Sequence, residues 1–264
     1  MRIPFTQVDA FAARPFEGNP AAVMPLPAWL DDATLLRIAQ ENNLSETAFL
    51  VADASGVADF ELRWFTPAAE IALCGHATLA AGHVVLASDP DREVVRFRTR
   101  LSGVLEVARE GAGYALALPS LAPVPRDLPG VVAALRVEAV ETLWHDGGYA
   151  VAVLADEAAV RGCSPDQAAL AAQGRWLVIV TAPGDTSDIV TRAFTPAFGI
   201  PEDPVTGSAH AVIAPYWAKR LGRERFSAYQ ASARGGRIGC HVVEDRVVLS
   251  GTCVTTIEGS FLLP

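Results

Sequence analysis

The sequence predicts an α+β protein of two pseudo-symmetric lobes, each a strongly curved, mostly antiparallel sheet or barrel around a central helix. Three observations predict it: a motif written twice at about half the chain length, short alternating runs around each copy, and a small-residue helix after each copy. The string Phe65-Thr66-Pro67-Ala68 returns as Phe194-Thr195-Pro196-Ala197, 129 positions later. Cys74-Gly75-His76-Ala77 is then met by Thr206-Gly207-Ser208-Ala209 at an offset of 132, so the second copy carries three extra residues between the landmarks. Upstream, Gly18-Asn19-Pro20-Ala21-Ala22-Val23 lies near the register of Gly147-Gly148-Tyr149-Ala150-Val151-Ala152. Downstream, Ser102-Gly103-Val104-Leu105 stands opposite Gly235-Gly236-Arg237-Ile238. Each alignment alone is weak, but their common order and similar offsets point to duplication rather than a coincidence of small residues.

The local patterns agree. Residues 59–64, 94–98, 104–108 and 114–118 alternate as half-buried strands do, and residues 176–181, 189–194 and 247–250 repeat that grammar in the second half. The two central helices are expected over about 75–87 and 207–221, the second stopping at Gly222. Both are apolar on nearly every face, which suits a helix enclosed by sheet. Asp31 or Asp32 is placed to cap an outer helix through Asn42, with Leu35, Leu36, Ile38 and Ala39 inward. Ser164-Pro165 is placed to open another through Gln173. Residues 119–129 carry four prolines and little periodicity and read as the linker. The lobes are therefore set at 1–118, holding Glu46 and the Cys74–Thr78 segment, and 119–264, holding Asp203–Ser208, with the last strand free to cross back to the first lobe. A cleft between the lobes is the expected ligand site.

Composition narrows the function classes. Apolar residues at 51% are ample for a core, and charged residues at 19% are too few for a disordered chain. A net charge of −9 repels phosphate backbones and anionic lipid, so nucleic acid and membrane surfaces are poor partners. The small Lys219–Arg225 cluster fits the polar end of a helix. No uninterrupted apolar run approaches the roughly 18 residues of a membrane span, and the start lacks a signal-peptide layout. Cys74, Cys163, Cys240 and Cys253 are not paired at metal-ligand spacing and read as reduced thiols of a cytoplasmic protein. The histidines show neither HxxxH nor HExxH spacing, so no metal and no cofactor are expected.

The starts of the central helices offer unsatisfied backbone N–H groups and the positive end of a dipole, preceded by small residues that let a ligand approach. Ordinary capping explains one such end; two at equivalent positions suit an anion such as a substrate carboxylate. His76 at the first helix start and Asp203 just before the second are matched within the repeat. His83 is expected to pack or to hydrogen bond locally, His145 and His241 to be structural, and His210 is undecided. Glu46, between Ser45 and Thr47 at the entry to an apolar strand, is the candidate acid/base. On the strand's outer face it would be a solvated acid of no consequence. On the inner face it would be desolvated, as a group that takes and returns a proton needs to be. Its counterpart at the 129-residue offset is Arg175, so only one copy carries the acid. Cys74 is a rival base, because a helix start stabilises a thiolate; its counterpart Thr206 disfavours a symmetric two-thiol racemase. Hydrolase elbows and nucleotide-binding glycine motifs are absent from the sequence.

These residues resemble the phenazine-biosynthesis PhzF-like isomerase family, which shares its two-lobed fold with diaminopimelate epimerase and proline racemase. The resemblance runs nearly end to end, through QVDAF…GNPAAV (Gln7 to Val23), NLSETAFL (Asn43 to Leu50), RWFTPAAEIALCGHATLA (Arg63 to Ala80), EDPVTGSAH (Glu202 to His210) and QASARGG (Gln230 to Gly236). It implies Glu46 as the catalytic glutamate and His76 with Asp203 as its supporting polar pair. It further implies substrate-binding positions at Ser45, Gly75, Gly207 and Ser208. The implied reaction is cofactor-independent movement of a proton on a small carboxylate or cyclic amino-acid-like substrate, and the implied assembly is a homodimer. Two other readings stay open on the residues: a single-thiol racemase or dehydratase using Cys74, and a small-anion binding protein without catalysis.

Overall fold

The computed structural model describes residues 1–263 of the chain. In order these form β1 (Arg2–Ala10), β2 (Asn19–Pro25), α1 (Asp32–Asn42), β3 (Glu46–Ala52), β4 (Phe60–Phe65), β5 (Glu70–Ile71), α2 (Gly75–Ser88), β6 (Val94–Arg98), β7 (Val104–Glu110) and β8 (Gly113–Pro119). There follow β9 (Val124–Pro125), α3 (Pro129–Leu135), β10 (Glu141–His145), β11 (Tyr149–Val153), α4 (Glu157–Gly162), α5 (Gln167–Ala172), β12 (Leu177–Pro183) and β13 (Ile189–Thr195). The chain closes with β14 (Ile200–Asp203), α6 (Gly207–Leu221), β15 (Arg225–Gln230), β16 (Gly236–Val243), β17 (Arg246–Gly251) and β18 (Cys253–Leu262). The contacts divide the chain into two units, Met1–Ala117 together with the residues from Ser250 onward, and Leu118–Leu249.

In the first unit β1 pairs antiparallel with β2, β2 parallel with β3, β3 antiparallel with β4, β4 antiparallel with β5 and parallel with β6, and β6 antiparallel with β7. The final strand β18 returns to run antiparallel along β1, from Arg2 opposite Leu262 to Ala10 opposite Cys253. Helix α2 packs against β1, β2, β3, β6, β7 and β18, which is why its small apolar residues are buried on nearly all sides. Gly82 shows how tight this enclosure is: a Cβ there would sit 2.4 Å from Val107 Cγ1. Outside, Asp31 caps α1 by accepting from Thr34 N at 2.9 Å, Leu35, Ile38 and Ala39 turn inward, and Asn43 ends the helix in the left-handed region.

The second unit repeats this pairing. β10 and β11 are antiparallel, β11 and β12 parallel, β12 and β13 antiparallel, β13 pairs antiparallel with β14 and parallel with β15, and β15 and β16 are antiparallel. Helix α6 takes the place of α2 and buries Ala209, Val212, Ile213 and Trp217. Pro215 lies inside it and has no N–H to give the Ala211 carbonyl; Leu121 N donates to that oxygen instead, at 3.1 Å. The expected linker is thus partly structured: it ties to α6, forms β9 against β10, and ends where Pro129 opens α3.

The duplication extends to buried ion pairs. Arg63 grips Glu70 through Nε and Nη2, both at 2.7 Å, and Arg192 grips Glu202 through the same two nitrogens at 2.7 and 2.9 Å. Each guanidinium also lies over the phenylalanine of its FTPA string, 5.0 Å from the ring of Phe65 or Phe194.

Several expectations change in detail. The helix expected from Ser164 starts at Gln167, capped by Asp166, and a further short helix, α4, precedes it, capped by Asp156. The counterpart of Glu46 is Leu177 rather than Arg175: Thr47 stands opposite Phe65 and Val178 opposite Phe194, so ladder register places the preceding residues, Glu46 and Leu177, in the same position. His83 packs its ring edge-on against Tyr114, with centroids 5.4 Å apart. Its ring nitrogens meet Tyr114 Oη at 3.0 Å and Thr255 Oγ1 at 2.9 Å, tying α2 to strands distant in sequence.

Candidate active site

Glu46 is the first residue of β3. The left-handed cap at Asn43 turns the chain out of α1, and the parallel ladder then fixes Glu46 opposite Ala21 of β2. Both faces of β3 are covered over its first five residues, so the carboxylate is 8% exposed. His76, the second residue of α2, is 3% exposed. Its Nε2 lies 2.9 Å from Glu46 Oε2. The approach is an ion-pair contact without hydrogen-bond alignment, because both atoms are buried and neither makes a hydrogen bond within the chain. Each is the other's buried partner, so removing either would leave the remaining one uncompensated.

On the other side of the ring, Asn19 Nδ2 lies 3.2 Å and Cys74 Sγ 3.6 Å from His76 Nδ1. Asn19 is the first residue of β2, delivered by a turn in which Gly18 is required: its φ is +67° and a Cβ would fall 2.2 Å from Ala10 O. Burial works to lower the pKa of His76, but Cys74 and the Glu46 carboxylate beside it prevail and raise it well above the ordinary value. Burial, with Glu46 adding to it, raises the Cys74 thiol. The expected thiolate stabilisation by the helix start is therefore opposed by desolvation, which disfavours the thiolate. Ser45 is half-buried just before β3, and Gly75 is the buried first residue of α2.

In the second unit, Asp203 ends β14 and accepts from Thr206 Oγ1 at 2.5 Å. Thr206 is the N-cap of α6, Gly207 its buried first residue, and Ser208 a half-buried second. Gln230 organises this start. Fully buried, it accepts from Thr206 N at 2.9 Å and donates to Asp203 O at 2.8 Å and Thr206 Oγ1 at 3.1 Å. His210, undecided on the sequence, is fully buried, its Nδ1 is 2.8 Å from Thr206 O, and burial brings its pKa down to about 4. Thr78 is its counterpart, its hydroxyl bonded to Cys74 O at 2.5 Å.

The structure thus brings Glu46 and His76 together in the first unit, near Ser45 and Gly75 in the chain, and gathers Asp203, Gly207 and Ser208 around the start of α6 in the second. Asn19 and Gln230 were not singled out from the sequence as site residues, although each lies in a quoted motif. A buried amide beside a helix start carries no charge or spacing signal of its own. Among the described residues, Glu46, Cys74 and His76 are the group whose donor atoms lie close enough to share a metal ion. No helix among the described residues is long and apolar enough to cross a membrane.

With this geometry in place, the chain was compared with known proteins. A family model described as phenazine biosynthesis-like protein matches residues 8–259. An uncharacterized isomerase of Pseudomonas aeruginosa is 49% identical over 265 residues, covering 100% of both chains. Among solved structures, a PhzF-family phenazine biosynthesis protein of Enterococcus faecalis superposes with a TM-score of 0.91 at 45% identity, again over 100% of both chains. In fold alone, the chain is also similar to a hydroxyproline epimerase of Agrobacterium vitis, with a TM-score of 0.63 at 11% identity over 98% of this chain and 92% of that one. The twice-written α+β architecture, the buried glutamate–histidine contact and these matches agree that the chain belongs to the phenazine biosynthesis-like (PhzF-like) isomerase family.

Proposed function

We propose that the protein is a cofactor-independent isomerase that moves a proton on a small carboxylate or cyclic amino-acid-like substrate, with Glu46 as the acid/base. The observation that carries this reading is the buried contact of Glu46 Oε2 with His76 Nε2, two polar atoms 2.9 Å apart that make no hydrogen bond within the chain. A carboxylate and an imidazole held in contact at a covered position are placed to exchange a proton with a bound substrate. Glu46 removes a carbon-bound proton, the electron pair of that C–H bond passes into the substrate's conjugated or carboxylate system, and the glutamic acid so formed returns the proton to another carbon. His76 and Asp203 support the polar groups, and Ser45, Gly75, Gly207 and Ser208 bind substrate, the helix-start N–H groups stabilising negative charge as it develops. The reading places the enzyme in the cytoplasm as a homodimer, which light scattering of the purified chain checks.

One observation favours a second reading. Cys74 Sγ is 3.6 Å from His76 Nδ1, as a thiol base of a racemase or dehydratase would be. Against it, burial raises that thiol, which disfavours the thiolate form a base needs. The test is proton NMR in heavy water with a panel of small carboxylates and cyclic amino acids. The reading expects deuterium to enter a carbon position of at least one compound, and to stop entering with Glu46→Gln. A panel member that binds but never exchanges a hydrogen would make the protein a small-anion binder instead.

A further inference from the structure

We infer that Gln230 is a positioning residue that holds the Thr206 hydroxyl away from its own helix and so keeps the first N–H groups of α6 open to the negative charge of a substrate. This role rests on the reading that Gly207 and Ser208 bind substrate, and it adds the residue that keeps such binding possible. A threonine at an N-cap ordinarily accepts a hydrogen bond from the second or third helical N–H. Thr206 has the backbone conformation for this, with φ −116° and ψ 102°, yet its side chain makes no capping bond among the described residues. Its hydroxyl is engaged elsewhere: it donates to Asp203 Oδ2 at 2.5 Å and accepts from Gln230 Nε2 at 3.1 Å.

The Gln230 amide can face only one way. Its Oε1 accepts from Thr206 N at 2.9 Å, and Nε2 gives one hydrogen to Asp203 O at 2.8 Å and the other to Thr206 Oγ1. Turned over, it would set its NH2 group against an N–H and its oxygen against a carbonyl. Fully buried at the end of β15, the amide is held by all three bonds at once. The hydroxyl has one hydrogen, and the Asp203 carboxylate takes it. Thr206 is thus fixed toward Asp203 rather than over the N–H groups of Ser208 and Ala209. The other helices set the contrast. Helices α1, α4 and α5 are each capped by an aspartate, Asp31, Asp156 and Asp166, whose carboxylates accept from Thr34, Ala159 and Ala169 N. Helix α3 opens on Pro129 after Leu128, which has no capping group. Helix α2 follows Cys74, whose sulfur is a weak acceptor and caps nothing among the described residues. Helix α6 reaches the same open start with a residue that would otherwise close it, and Gln230 is what prevents the closure.

The test follows hydrogen exchange at the Ser208 and Ala209 amides by NMR in the full chain without substrate, relative to the Val212 and Ile213 amides of the same helix. Gln230→Met keeps the length of the side chain without its amide. It should let the Thr206 hydroxyl turn onto its helix and slow exchange at one of the two amides about fivefold, the strength of an ordinary cap. Adding Thr206→Val should remove that slowing. Thr206→Val alone should leave both amides at the parent rate, because the hydroxyl caps neither; this comparison stands even if Gln230→Met does not fold. Unchanged or faster exchange in Gln230→Met, slowing that survives in the double variant, or faster exchange in Thr206→Val alone overturns the inference. With an accepted substrate, Gln230→Met should raise KM about tenfold with kcat near the parent value. Thr206→Val in addition should bring KM part of the way back, which a merely structural role for Gln230 would not do. A KM unmoved by Gln230→Met also overturns the inference. Because the amide rates need no substrate, they stay readable if the isomerase reading itself fails.

Discussion

The two units carry the same strand pairing, the same Arg–Glu grip and the same enclosed helix, yet they differ at the starts of the third strand and of the central helix. At the start of the third strand one unit has Glu46 and the other Leu177. At the N-cap one has Cys74 and the other Thr206, and at the helix's second residue His76 stands where the other has Ser208. The fourth residue after each N-cap touches the N-cap carbonyl in both, as Thr78 in one and His210 in the other. The lesson is that the repeat keeps its backbone-satisfying contacts and varies only side chains at the helix and strand starts. One unit pairs a buried acid with a histidine; the other gathers Asp203, Thr206 and Gln230 into a hydrogen-bonded helix start.

Substitutions that make one unit imitate the other sharpen this contrast. The largest effect is expected from Glu46→Leu, which installs the residue of the second unit. Deuterium exchange into an accepted substrate should fall by about 10²–10⁴, while circular dichroism stays close to that of the parent and the melting temperature loses the contribution of the His76 pair. Next is the helix of the second unit. Trp217 is 1% exposed and donates from Nε1 to Thr181 Oγ1 at 3.0 Å. Trp217→Ala should cost about 3–5 kcal/mol in urea unfolding, and a loss below about 1 kcal/mol would mean that α6 is not enclosed as described.

The two buried histidines should respond to pH in opposite directions. His210, brought down to about 4, is neutral in the folded protein, whereas the unfolded chain takes up that proton below about 6.5. Stability therefore falls as pH drops from about 6.5 to about 4, by roughly 1.4 kcal/mol per pH unit from this group. His210→Thr, the residue of the first unit, should flatten that limb in denaturant titrations at several pH values. His76 has the opposite sign: its raised pKa contributes stability that is present below the unfolded value and fades as pH rises through the folded one. The smallest effect is the cap of α1, where Asp31→Ala should cost about 1 kcal/mol, read as a shift in urea midpoint.

Much of this was legible in the residues themselves. The two FTPA strings fixed the repeat, and the alternating runs located their strands to within two residues at either end. The enclosed helices were visible because Ala, Gly and Val left no polar face. The Arg63–Glu70 and Arg192–Glu202 grips were also present in the repeat but went unread, because the second loop is three residues longer and separates the partners differently. Register was the weak point: a fixed offset led to Arg175, while ladder pairing leads to Leu177, because the outer helices joining the second and third strands differ between the units. At Cys74 the helix-start electrostatics can be read from position, whereas the desolvation that raises the thiol depends on what six surrounding strands cover. Asn19 and Gln230 act through neutral hydrogen bonds to partners far away in sequence, and those partners are chosen by the fold.

The most direct test of the account compares Glu46→Gln with Cys74→Ala on one accepted substrate, following hydrogen exchange with heavy water at the reacting carbon. The account predicts that the glutamine variant loses exchange and the alanine variant keeps most of it. Exchange lost in the cysteine variant and retained in the glutamate variant would contradict it, and would give the chemistry to the thiol.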